Sequence, residues 1–189
     1  MSIVISDDPG LSPQTRELLV RIRSDIGGLD KHQQELEADV QQIRSTPAAD
    51  LTGKQLDLAR DIPVQRLNLM RRELSIRNRV ATEFFPARRH DRTAAAENAA
   101  ARYGQLKAEV RQKLIGIGYI DGLMPGGNFE SITPDILHRH PAVFAARNEA
   151  NAARDHVAPQ EVEQLNATAI RDLEEAMEKL KQRALQAVA

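Results

Sequence analysis

The chain has 189 residues, with 26 Lys and Arg against 27 Asp and Glu, a formal net charge of −1 and no cysteine. That excludes disulfides, thiolate catalysis and every Cys-ligated zinc or iron–sulfur centre, and the balance is not that of a strongly basic nucleic-acid binder. Leu, Ile, Val and Phe make up about a quarter of the residues, just above the ~20% below which disorder is the default, and aromatics only 3%, so any core is aliphatic and thin.

Residues 1–12 read as an N-terminal extension. Ile3-Val4-Ile5 has no basic flank and is soon followed by Asp7-Asp8, which is not a secretory signal. No window approaches the ~18 consecutive apolar residues of a membrane span. The expected location is cytoplasmic or virion-internal.

Ser12-Pro13 is a helix start: a capping oxygen followed by the ring that suits the first helical position. From Pro13 to about Arg44, Leu19, Ile22, Ile26, Leu29, Leu36, Val40 and Ile43 trace a heptad seam, with Gln33 at one seam position. Gly27-Gly28 lies off the seam and predicts a soft point more than a break. Thr46 to Gly53 is loop by composition, and a short helix is expected over Lys54 to Asp61, with Pro63 kinking or restarting it.

Val64 to Phe85 carries one apolar stripe through Leu67, Met70, Leu74, Ala81 and Phe84, and a second through Leu69, Ile76 and Val80. Two stripes predict a central helix with neighbours on more than one side. Pro86 to Asp91 reads as a basic turn, and Thr93 as the cap of a helix to about Ile115, first Ala-rich, then with a seam through Tyr103, Leu106, Val110 and Leu114. Gly116 to Asn128 is the one long irregular stretch. Thr133-Pro134 opens a turn or two of helix to His140, and Ala142 to His156 is another short helix. Pro159 opens the last helix, with a seam at Ile170, Leu173, Met177, Leu180, Ala184 and Ala187.

The expected fold is all-α: five to seven helices in an elongated antiparallel bundle, with coiled-coil-like hairpins and one long Gly-rich loop. Residues 13–115 form its core, 116–133 the loop, and 134–189 helices that pack on the core. Leu19, Ile22, Ile26, Leu29, Leu67, Met70, Leu74, Leu106, Val110, Leu173 and Leu180 are the predicted buried set.

Little in the sequence points to catalysis. The glycines at 116, 118 and 122 miss the dinucleotide-binding spacing by one residue and follow a helix, not a strand, so a helix C-cap is the simpler reading. His138 and His140 point to different sides of a helix, which argues against a metal pair. No Gly-x-Ser-x-Gly elbow occurs. Asn166-Ala167-Thr168 matches a glycosylation sequon but falls mid-helix.

Charge is distributed unevenly. From Arg60 to Arg92 nine arginines face only Asp61, Glu73, Glu83 and Asp91, whereas residues 1–45 hold eight acids and five bases. Arginine favours bidentate contact with carboxylate or phosphate, and pairing within the protein or with a neighbour is the first expectation. The sequence therefore points to a non-enzymatic structural or adaptor subunit without metal or cofactor. Its partner would be a second copy or another protein. The expected contact residues are Arg71, Arg72, Arg79, Arg88 and Arg89 in the basic segment, and Tyr119, Leu123, Met124 and Phe129 in an unusually apolar loop. A nucleic-acid accessory protein using the 60–92 segment is the alternative.

Overall fold

A computed structural model of the chain describes residues 3, 5, 10–122, 131–157 and 161–186, with residues 184–186 described by backbone alone. The class is all-α. Helix α1 is Pro13–Ser45, α2 Gly53–Arg79, α3 Phe85–Gly116, α4 Pro134–Arg139, α5 Pro141–Asp155 and α6 Glu161–Gln186. A single π-helical turn, Val80–Phe84, joins α2 to α3 without a break. Among the described residues there is no strand, only an isolated bridge between Ile120 and Ser131. None of the described helices is long and apolar enough to cross a membrane.

The helix starts follow local chemistry. Ser12 Oγ accepts from the Thr15 amide at 3.3 Å, ahead of Pro13. Thr52 and Gln55 form a reciprocal capping box that opens α2, and Thr133 caps α4 ahead of Pro134. Helix α3 ends in a glycine-dependent stop. Gly118 takes φ +100°, the Tyr119 amide donates to the Leu114 carbonyl at 3.0 Å, and the Gly118 amide donates to Ile115 at 3.1 Å. That is the Schellman pattern, and it turns Tyr119 back toward Leu114.

Two expected interruptions do not occur. The short helix Lys54–Asp61 is part of α2, which continues through Pro63 without a restart. Pro63 is exposed, so its ring stands clear of the packed face of α2 and costs little packing. The basic turn at Pro86–Asp91 and the new start at Thr93 are also absent. The Phe85 amide reaches back five residues to the Val80 carbonyl, one residue further than in an α-helix. This widened turn lets the chain pass Pro86, whose ring would otherwise press on the Thr82 carbonyl. Thr93 Oγ1 donates to the Arg89 carbonyl inside the helix and caps nothing.

Contacts divide the chain into two units, Met1–Ala87 with Gln160–Ala189, and Arg88–Pro159. In the first, Leu11, Leu19, Ile22 and Leu29 pack with Ile76, Val80, Phe84 and Phe85. Helices α1 and α2 run antiparallel: Asp25 pairs with Arg79, and seven residues on, His32 meets Arg72, seven residues back. Val162 packs on the same cluster and Asn166, one turn later, reaches Arg77, which seats the start of α6 against α2. In the second unit, Val110, Ile132, Leu137 and Val143 form the core, with Tyr103, Leu106, Leu114 and Tyr119 against it.

The core differs in part from the expected set. Leu19, Ile22, Leu29 and Val110 are buried, but Ile26, Leu67, Met70, Leu74, Leu106 and Leu173 are only half-buried, and Leu180 is 39% exposed. The buried edge of α2 is Ile76 with Val80 and Phe84, not Leu67–Leu74. Spacing ranks the two stripes alike. The buried set takes Ile76 and Val80 from one stripe and Phe84 from the other, so burial follows the position along α2 and not the stripe.

Candidate partner-binding surfaces

Along α1, the seam residues Thr15, Leu19, Ile22, Leu29 and Leu36 are buried, and Val40 and Ile43 half-buried. Beyond Leu29 the facing residues of α2 are Arg72, Leu69, Met70 and Arg66. There the helix pair is flanked by two open grooves of about 340 Å³ each. Leu36 and Leu69 line both. The first groove adds Val40 and Met70, with Glu37 and Arg66 at its edges. The second is bordered by His32, Asp39, Gln65 and Arg72. An apolar floor with polar rims is the form of surface that takes another helix.

The arginine-rich segment does not present one face. Arg79 is half-buried and pairs with Asp25. Arg88 is 1% exposed, turned fully inward. Arg72 lies over α1, its Nη1 3.3 Å from His32 Nδ1. That nitrogen is also 2.7 Å from the Gly28 carbonyl, which only accepts, so His32 Nδ1 carries a proton toward Gly28 and the arginine contact is not a hydrogen bond. Arg71 and Arg89 are exposed.

One polar cluster had almost no sequence signature. Arg77, nearly buried, bonds Glu73 Oε1 through Nε at 2.8 Å and Nη2 at 2.7 Å. Asn166 from α6 donates to the Arg77 carbonyl at 3.1 Å and accepts from its Nη1 at 3.4 Å. The i,i+4 spacing of Glu73 and Arg77 is legible, but nothing in the sequence marks Asn166 as its third member. A buried guanidinium needs such partners, because an unpaired one would lose its hydration without compensation. The same burial removes Asn166 from any glycosylation chemistry.

In the second unit, Tyr103 and His138 stack with centroids 6.2 Å apart, and Tyr103 Oη lies 2.8 Å from His138 Nε2. Arg147 Nη1 approaches His138 Nδ1 at 3.4 Å. Arginine only donates, so Nδ1 accepts and Nε2 gives its proton to the tyrosine oxygen. Both ring nitrogens are thus engaged, and His140 is exposed. Among the described residues no three His, Asp or Glu side chains gather as a metal site. Tyr119 is half-buried against the Val110 cluster. Leu123, Met124 and Phe129 lie outside the described residues.

The sequence matches no protein-family model and no curated protein, and the fold matches no solved structure.

Proposed function

We propose that this protein is a non-enzymatic structural or adaptor subunit, which associates with a second copy or another protein through the outer part of its α1–α2 pair. The observation behind this reading is the pair of open grooves beside Leu36 and Leu69. There a heptad seam continues past the buried cluster with its flanking apolar side chains half in water. Covering them removes apolar surface at roughly 25 cal/mol per Å². A helix supplied from outside is the natural cover for a seam of this spacing. The arginines fit the same reading, since Arg77 and Arg79 are engaged by Glu73 and Asp25 inside the unit.

Sedimentation velocity from micromolar to near-millimolar protein tests this. Reversible association is expected, lost in Met70→Glu with helix content unchanged. A chain that stays monomeric throughout and retains no protein partner overturns the reading. Arg71, exposed and outside any ion pair among the described residues, is what favours the nucleic-acid alternative. Binding to RNA or duplex DNA that falls steeply with salt would establish it instead.

A further inference from the structure

The first groove carries a charge pattern that selects its occupant. We infer that the groove lined by Leu36, Val40, Leu69 and Met70 is covered by the same groove of a second copy of this chain, related by a twofold axis parallel to α1 and α2, so that Glu37 of each copy meets Arg66 of the other. This rests on the association proposed above and names its surface and partner.

The register of the helix pair sets the geometry. From Asp25 opposite Arg79 to His32 opposite Arg72 is seven residues forward on α1 and seven back on α2. Five more steps bring Glu37 level with Leu67, one residue from Arg66. The two charges therefore sit at the same height on opposite edges of one groove. They do not pair within the chain: Arg66 has no ion pair or hydrogen bond among the described residues, and Glu37 accepts only a hydrogen bond from Gln33, at 3.2 Å. The remaining acid at that edge, Glu73, is held by Arg77.

Two copies can meet face to face about either of two in-plane twofold axes. With the axis perpendicular to the helices, α1 lies over α1, so Glu37 never comes to Arg66, and with the axis at its own height Glu37 faces Glu37, which repels. With the axis parallel to them, α1 lies over α2 at unchanged height, and each Glu37 comes to an Arg66 twice over. A groove with one free charge of each sign on opposite edges is self-complementary only in the second arrangement. Gln33, the polar residue in the seam, then sits at the new interface, the kind of position at which coiled coils fix register and partner number.

The test is charge reversal in the full chain, read by sedimentation equilibrium. Glu37→Arg and Arg66→Glu each weaken the dimer by about tenfold or more, and the double variant recovers to within about threefold of the original. Both side chains are exposed, and unchanged urea midpoints confirm that the fold is kept. Because the chain has no cysteine, a second readout follows. Glu37→Cys and Arg66→Cys chains, mixed and oxidised, cross-link to each other, whereas Glu37→Cys alone gives no covalent dimer. Dimers that ignore both reversals, or Glu37→Cys chains that cross-link among themselves, overturn this surface while leaving self-association standing. A chain that never dimerises removes both.

Discussion

The two halves of the α1–α2 pair use one heptad seam to different ends. In the inner half, Leu19, Ile22 and Leu29 meet Ile76, Val80 and Phe84, and all six are nearly free of water. In the outer half, Leu36 is buried, but Val40, Leu69 and Met70 remain half-exposed beside open grooves. The residue types and spacing hardly change between them. What changes is the third side: Leu11, Phe85 and Val162 close the inner cluster. Periodicity chooses the face that turns inward, but an additional element decides whether water leaves it.

The contrast breaks or holds most sharply on truncation. Phe84→Ala removes a fully buried ring and should cost about 3–5 kcal/mol by urea unfolding, whereas Met70→Ala should cost about 1 kcal/mol in the monomer. Equal losses would mean that the outer half is packed as tightly as the inner. Next in size is the polar tie between α2 and α6. Asn166→Ala leaves the Arg77 carbonyl and guanidinium each short of one partner, and should cost about 1–3 kcal/mol. An unchanged midpoint would show that α6 does not depend on this contact. Smaller again is the cap beside Leu11: Ser12→Ala should cost about 1 kcal/mol, with earlier amide exchange in the first turn of α1.

Much of the fold was legible because helix signals are local. Ser12-Pro13, Thr133-Pro134 and the α1 seam fall where the sequence places them, and so does the glycine stop after α3. The misses share one cause. Pro63 and Pro86 are strong breakers in isolation, yet one lies on the water side of α2 and the other is absorbed by a π turn that also brings Phe84 and Phe85, successive residues, into the same core. Whether a proline ends a helix depends on packing that no window of sequence contains. The surface was harder still to read. Counting arginines cannot tell Arg88, turned inward, from Arg71, in solvent, and Asn166 drew notice only through a sequon its burial forbids. Glu37 and Arg66 are unremarkable in sequence and acquire meaning only once the antiparallel register sets them level.

The finest contrast lies within α1 itself, between neighbouring glycines. A Cβ on Gly27 would meet nothing within 4 Å, whereas one on Gly28 would lie 3.1 Å from Arg72 Nη2. Both residues are helical without positive φ, so alanine suits the backbone at either, and the mid-helix glycine penalty of about 0.5–1 kcal/mol is recoverable in principle. Gly27→Ala should therefore raise stability by roughly that amount, shifting the urea midpoint upward with an unchanged slope. Gly28→Ala gains the same propensity but displaces the Arg72 guanidinium from its place over α1. Its gain should be smaller, and should rise to match Gly27→Ala when Arg72→Ala is present in both backgrounds. Equal gains in the original background would mean that Arg72 gives way freely and that Gly28 is not the seat of that side chain.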